Sequence, residues 1–376
     1  MQEEYVGIGA IDSIRTILER SGAKRIFLVT GAHAYDSSGA AGLLKRILAD
    51  REICRFSDFT SNPKIEEVVG AVGALRAFAP DIVLAVGGGS AIDIAKSAAI
   101  LSAQTGPLES YVKGEKELSA GGPPVIAVPT TAGTGSEATH FAVVYIGPRK
   151  YSLALPSMLP AYAIVDSQLL ASVAPALAAA TGMDALSQAI ESYWSVRSND
   201  ESKTYAEQAI TLIKKNLVAM VRKRTDEVCL AMARGAHLAG KAINISRTTA
   251  PHALSYPLTA HAGIPHGHAV ALTLPAIIRF NAQVDEGSVA DSRGLSHVRS
   301  TLSSANSLLG ATDAEDAASM IESLMDAVGL ERRLSVLGIT GGDIPSFVKE
   351  LSLERLANNP RRMTEEDATR ILTDIL

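Results

Sequence analysis

Between Asp81 and Lys96 the apolar run Asp81-Ile-Val-Leu-Ala-Val86 meets Gly87-Gly88-Gly89-Ser90, and Ala91-Ile-Asp93-Ile-Ala-Lys96 then opens a helix-forming segment. A short, continuously apolar strand is buried on both faces, and a tight turn into a helix sends the chain back over the sheet. This stretch therefore commits its part of the chain to a βαβ unit. The same alternation surrounds it. The run 25–30 reads as a buried parallel strand ending at Gly31, with a helix pattern over 39–50 and a strand over 53–56. Ser61-Asn62-Pro63 opens a helix over 64–78, and a further strand covers 124–128. Strands alternating with helices of this length predict a parallel α/β sheet.

Glycines at a strand end let backbone amides approach a pyrophosphate with no Cβ in the way, and the helix N-terminus adds positive partial charge. Gly87, Gly88, Gly89, Ser90 and Asp93 are therefore candidate cofactor residues, with Gly31 and Asn62 beside them. The spacing is not GxGxxG, so the ordinary Rossmann fingerprint is absent. After the strand at 124–128 comes Pro129-Thr-Thr-Ala-Gly-Thr-Gly-Ser-Glu137. Hydroxyls of Thr130, Thr131, Thr134 and Ser136 are suited to a ribose, a nicotinamide or phosphates. Taken alone, this loop reads equally well as one that satisfies its own backbone.

From about Asp166 the strand signals stop. Ala/Leu-rich periodic segments at roughly 175–194, 200–222, 225–243, 250–258, 267–282, 313–328 and 344–356 predict helix packed on helix. The boundary is placed at 168, giving an α/β dinucleotide domain over 1–168 and an all-helical domain over 169–376. The stretch 241–275 holds four of the eight histidines: His252, His261, His266 and His268. Thr248-Thr249-Ala250-Pro251 reads as a helix start, which puts His252 in the first turn and Tyr256 one turn on. Imidazoles there and just past Gly263-Ile264-Pro265 converge on a metal ion, or else serve as capping and core histidines. Asp184 and Gln188, one turn apart, sit in an otherwise apolar helix where a carboxylate needs a cation.

A chain of 376 residues is long enough for two cores. Its net charge of −5 argues against broad nucleic-acid or membrane-surface binding. Two cysteines, Cys54 and Cys229, exclude a disulfide framework, and a cytoplasmic protein is expected. The N-terminal residues have no basic, then apolar, signal pattern.

The motifs GGGSAIDIAK, PTTAGTGSEAT, GMDALSQAIESY and PHALSYP…IPHG occur in this order along nearly the whole chain. Together they closely resemble the iron-containing, or group III, alcohol dehydrogenase family, a relative of glycerol dehydrogenase and dehydroquinate synthase. The resemblance implies an N-terminal α/β dinucleotide domain, an all-helical C-terminal domain, and hydride transfer in the cleft between them. Members often form dimers, so a homo-oligomer is expected.

Carried over position by position, Asp184, His252 and His266 match three metal ligands of the family. The remaining ligand, usually histidine, is Gln188 here. An amide oxygen is a weaker, harder donor than imidazole. A divalent metal, Fe or Zn, is therefore expected on Asp184, His252 and His266, with Gln188 as a weak ligand or an outer partner. The opposing reading is a metal-free site, as in the maleylacetate reductase branch. His261 and His268 are the candidates for proton transfer alongside His266, although His268 reads equally as structural.

Members preferring NAD often carry an acidic residue after the first strand. Gly31 stands there, with His33 and Ser37 nearby, so NADP(H) is predicted over NAD(H). Arg247, Lys241 and the helix start before His252 form a candidate anion site. Gln188, Tyr256 and ISRTTAPHA resemble the phosphonoacetaldehyde reductase branch, which implies a small anionic aldehyde. The alternatives are another small aldehyde or polyol, and a dehydroquinate-synthase-like lyase.

Overall fold

The structure, a computed structural model, describes residues 2–147 and 149–376. It divides into two compact units. One comprises the chain up to Val173 together with Thr225–His237; the other comprises Ala174–Arg224 and Leu238–Leu376.

The first unit runs β1 (Glu3–Gly7), α1 (Ser13–Ser21), β2 (Arg25–Thr30), α2 (Ala34–Ser37), α3 (Ala40–Ile47), β3 (Glu52–Phe56), α4 (Ile65–Phe78), β4 (Ile82–Gly87), α5 (Gly89–Ser102), α6 (Leu108–Val112), β5 (Val125–Pro129), β6 (Phe141–Ile146), β7 (Arg149–Ala154) and β8 (Tyr162–Asp166). Six strands form one parallel sheet in the order β1-β8-β5-β4-β2-β3, and β6 and β7 form a separate antiparallel hairpin. Alternate residues of the strands feed two cores. Phe27, Val29, Val83 and Ala85 pack with α4 and α5, whereas Ile26, Leu28, Ile82 and Leu84 pack with α1 and α3. Both faces are thus covered, which is why these strands read as unbroken apolar runs.

From β2 the chain goes to β3 on one side and then to β4 on the other, so the strand order reverses between β2 and β4. In such sheets ligands bind outside the carboxyl ends of the strands at this reversal. Those ends are Thr30-Gly31 and Val86-Gly87.

The second unit contains α7 (Pro175–Trp194), α8 (Asp200–Arg222), most of the latter half of α9 (Asp226–Ser246), α10 (Ala250–Ala262), α11 (His266–Ala282), α12 (Leu295–Leu309), α13 (Ala314–Val328), α14 (Ile344–Lys349), α15 (Leu353–Ala357) and α16 (Glu365–Asp374). Helix α7 is buried almost all round from Ala178 to Trp194, with α8 and α11 among its neighbours. A helix apolar on every side belongs in the middle of a bundle.

Several elements differ from the sequence reading. The helix predicted over 39–50 is α3, which starts after Gly39 with φ of 81° and ends at Ile47. The helix predicted over 344–356 is the pair α14 and α15, and the Ser352 side chain caps the second. Strands β1, β6, β7 and β8 and helices α2, α6, α12 and α16 had no predicted counterpart. Among the described residues, no helix is long and apolar enough to cross a membrane.

Candidate active site

In the first unit, β4 ends in Gly87 and α5 begins at Gly89. A Cβ on Gly87 would lie 2.7 Å from Ala91 Cβ and 3.5 Å from the Gly31 amide nitrogen. On Gly89 it would lie 2.7 Å from Thr134 Cγ2, and on Gly88 3.5 Å from Thr131 Oγ1. Gly31, the glycine turn and the threonine loop therefore form one bare backbone surface at the reversal point. The Asn62 amide donates to Ser90 Oγ at 3.3 Å, and Asn62 takes the left-handed backbone, φ 62°. The Thr130 amide donates to Gly87 O at 3.0 Å, and its buried hydroxyl has no partner among the described residues.

Asp93 and Ser136 meet beside this surface. The Ser136 hydroxyl donates to Asp93 Oδ1, and Asp93 Oδ2 accepts from the Val143 amide at 3.0 Å. The two are engaged with each other and hold the threonine loop against α5. Lys96, one turn along α5, was not singled out from sequence and completes this brace. Its Nζ reaches Ser136 O at 2.8 Å, Thr139 Oγ1 at 3.1 Å and Phe141 O at 2.5 Å. Burial pushes its pKa down to about 8, against the charges of Asp93 and Glu137. A lysine in a helix rich in alanine and isoleucine was the available signal.

In the second unit, Asp184, His252 and His266 each present a ligand atom within 4.8 Å of the others. Asp184 and His252 are buried, and His252 Nε2 stands 3.3 Å from Asp184 Oδ1. The His252 and His266 rings are edge to face at 5.3 Å, and Tyr256 stacks on His266 at 5.9 Å. Close approach of α11 to α7 makes this possible. A Cβ on Gly267 would lie 2.0 Å from Ala180 O and 2.7 Å from Asp184 Cβ, so only glycine lets His266 sit beside Asp184.

Glu191, also absent from the sequence reading, orients the group. Its Oε1 accepts from His252 Nδ1 at 2.5 Å, which fixes the tautomer with Nε2 turned to Asp184. Its Oε2 accepts from the Thr249 amide at 2.7 Å and from Thr249 Oγ1 at 2.9 Å. Thr249 is the residue preceding α10, yet its hydroxyl makes no cap; Trp194 Nε1 donates to it at 3.0 Å. Burial disfavours a charged His252, but Glu191 and Asp184 outweigh it and push its pKa up to about 10. Two buried carboxylates here demand positive charge. The Gln188 Oε1, buried one turn from Asp184, has no hydrogen-bond partner among the described residues. A carboxylate, two imidazoles and an orphaned amide oxygen are a donor set that fits a divalent cation.

The other predicted residues lie elsewhere. His268 is two positions beyond His266, hence on another face of α11, and its Nε2 is bonded to Glu331 O at 2.7 Å. His261 Nε2 pairs with Glu350 at 2.8 Å and its ring stacks on Phe347. Neither joins the group of three. Lys241 lays its ammonium over the Tyr205 ring at 4.6 Å. Arg247 sits half-buried before α10 in the left-handed conformation, φ 64°.

The iron-containing alcohol dehydrogenase model matches residues 2–167, and the C-terminal model of the Fe-containing alcohol dehydrogenase family matches 178–376. The chain belongs to the iron-containing alcohol dehydrogenase family. It is 38% identical over 320 residues to phosphonoacetaldehyde reductase of Streptomyces viridochromogenes, covering 82% of this chain and 79% of that protein. It is 32% identical to long-chain-alcohol dehydrogenase 1 of Geobacillus thermodenitrificans, covering 96% and 92%. Among solved structures, sulfoacetaldehyde reductase from Bifidobacterium kashiwanohense in complex with NAD+ superposes with a TM-score of 0.89 at 31% identity, covering all of this chain and 96% of that one. As a member of the iron-containing alcohol dehydrogenase family the protein is an oxidoreductase of the alcohol dehydrogenase class, and the family implies a nicotinamide cofactor and a divalent metal.

Proposed function

We propose that this protein is an NADPH-dependent reductase of a small anionic aldehyde, with phosphonoacetaldehyde, giving 2-hydroxyethylphosphonate, the leading substrate. The reaction adds a hydride to the carbonyl carbon and a proton to its oxygen, and NADPH leaves as NADP+. When bound, a divalent ion supplies a Lewis acid for the carbonyl oxygen and the nicotinamide supplies the hydride. Asp184, His252 and His266 would hold the ion, while Glu191 orients His252 and Tyr256 stacks on His266. One observation carries the substrate reading. Glu191 grips both His252 and Thr249, so the turn bearing Arg247 is tied to the same carboxylate as the metal ligand. The likeness to phosphonoacetaldehyde reductase supports it.

For the cofactor, Gly31 leaves no carboxylate at the end of β2 to repel a 2′-phosphate. Arg55 at the end of β3 adds a cation there: its Nε donates to Thr30 Oγ1 at 2.9 Å, and its guanidinium lies 4.7 Å over the Tyr35 ring. His33 and Ser37 are both exposed nearby. Replacing Arg55 by serine is expected to raise KM for NADPH roughly tenfold or more while NADH changes little.

The test is turnover of phosphonoacetaldehyde with NADPH and with NADH, on enzyme stripped by chelation and reloaded separately with iron and zinc. Turnover that needs the metal and prefers NADPH supports the whole reading. Turnover indifferent to chelation removes the metal. Preference for neutral aldehydes such as propanal moves the protein to the general alcohol dehydrogenases.

A further inference from the structure

The loop between β5 and β6 leaves its amides unbonded. Among the described residues, the backbone N–H groups of Thr131, Ala132, Gly133, Thr134 and Gly135 make no hydrogen bond to the protein, although Ala132, Gly133 and Gly135 are buried. A loop that closes on its own backbone, open as a reading of the sequence, is thereby excluded. Successive backbone donors without partners suit a negatively charged group. The loop lies against the glycine turn at the start of α5, where a Cβ on Gly89 would meet Thr134.

Bonds from outside the loop must therefore fix its shape. Helix α5 is buried continuously from Ala91 to Leu101, which makes it a fixed post. From it Lys96, 1% exposed, reaches the segment that follows the loop. Its Nζ meets four acceptors there: Ser136 O at 2.8 Å, Thr139 O at 3.2 Å, Thr139 Oγ1 at 3.1 Å and Phe141 O at 2.5 Å. The Asp93 carboxylate is farther away, at 3.6 Å, and accepts from the Ser136 hydroxyl. An ammonium has three donors and no acceptor, which suits a cluster of carbonyls. A buried charge is costly unless its bonds are made, and here they are made to the chain beside the loop. A carbonyl and the amide that follows it share one rigid plane, so a carbonyl that turns carries that amide with it. Lys96, by holding the carbonyls, thus sets how the chain presents its amides.

We propose that Lys96 is a positioning residue for the dinucleotide: by gathering the carbonyls of Ser136, Thr139 and Phe141 onto one ammonium, it holds loop 131–135 against the glycine turn with its amides open to the cofactor. This rests on the reading of that surface as the dinucleotide site, and not on which aldehyde is reduced. Lys96 acts through the loop and touches no reacting atom. Without its ammonium, three buried carbonyls lose their donor and regain one only by turning peptide planes or admitting water. Either change alters the row of amides. Its effect falls on a part that NADPH and NADH share, unlike that of Arg55, which bears on the 2′-phosphate alone.

The experiment compares the wild type with Lys96→Met and with Thr139→Val, which removes one of the four acceptors and keeps the side-chain shape. Dissociation constants of NADPH and NADH are measured by nucleotide fluorescence well below each Tm. Metal content and the KM for whichever of phosphonoacetaldehyde and propanal the wild type reduces are read on the same preparations. Lys96→Met is expected to bind both nucleotides roughly ten- to a hundredfold more weakly, and Thr139→Val to shift both in the same direction by a smaller factor. Metal content and the aldehyde KM are expected to hold. Binding of both nucleotides as tight as in the wild type, with only a lower Tm, makes Lys96 structural and overturns the proposal while leaving the reductase. A loss confined to NADPH also overturns it, because that places the effect at the 2′-phosphate. If Lys96→Met does not fold, Thr139→Val is read by the same rule. A wild type that binds neither nucleotide overturns both this role and the cofactor reading. Weakened binding of both nucleotides in a protein that does not reduce phosphonoacetaldehyde upholds the role of Lys96 and discards only that substrate.

Discussion

His252 is held between two carboxylates, and their roles differ. Asp184, 3.3 Å from Nε2, is the neighbour a cation would bridge; Glu191, on Nδ1, stays outside and sets which nitrogen carries the proton. Removing the charge of Glu191 should therefore weaken a bound ion without removing a ligand. Glu191→Gln is expected to lower affinity for Zn(II) or Fe(II) roughly 10- to 100-fold. Metal content after dialysis against a graded chelator series reads this independently of turnover, and unchanged retention would show that Glu191 only anchors Thr249. Gln188 stands in the same group as the residue that departs from the family's usual histidine. Its buried Oε1 has no hydrogen-bond partner among the described residues.

Helix α11 meets α7 through Gly267, and this one contact decides whether the ligands converge. In Gly267→Ala a Cβ would meet backbone at Ala180, which cannot yield as a flexible side chain does. The helices must separate, at a cost of about 1–3 kcal/mol. The expected outcome is a lowered Tm together with loss of metal binding, checked by thermal melts and metal titration; a variant that keeps its metal would refute the close-packing argument. Helix α7 itself was legible in the sequence, as were β2, β4 and α5, because each is an apolar run of the right length and period. So was the Asp184–His252–His266 group, through the family motifs. Illegible elements share a cause. Strand β1 is mostly exposed along its length, with the pattern of an edge, so it carries no apolar run. The start of α9 reads as one more bundle helix, yet Thr225–His237 belongs to the first unit; periodicity reports which face is buried and not what covers it. Glu191 escaped for a related reason: a charged residue in a helix reads as solvated face until the structure shows it buried.

At the scale of the whole molecule, the first unit is closed by a segment that arrives late in the chain. His237, 3% exposed near the middle of α9, lies between Glu137 at the end of the threonine loop and Glu4 on β1. Nδ1 is 3.1 Å from Glu137 Oε1 and Nε2 is 3.3 Å from Glu4 Oε2. Burial alone would lower its pKa, but the two carboxylates prevail and raise it from 6.5 to about 9. A group whose pKa is higher folded than unfolded binds its proton more tightly in the native state. Its contribution is complete below pH 6.5 and is lost as pH rises through about 9. The amount is on the order of a few kcal/mol. His237→Gln keeps a hydrogen-bonding side chain but cannot carry charge. Denaturant unfolding of both proteins from about pH 6 to about pH 10 should give a stability difference that is largest at the acid end and shrinks across that window. The Gln2 side chain also donates to Glu137 O at 2.7 Å, so some loop order survives the substitution. A difference that stays flat with pH would mean that His237 is neutral in the folded protein and joins these three segments by hydrogen bonding alone.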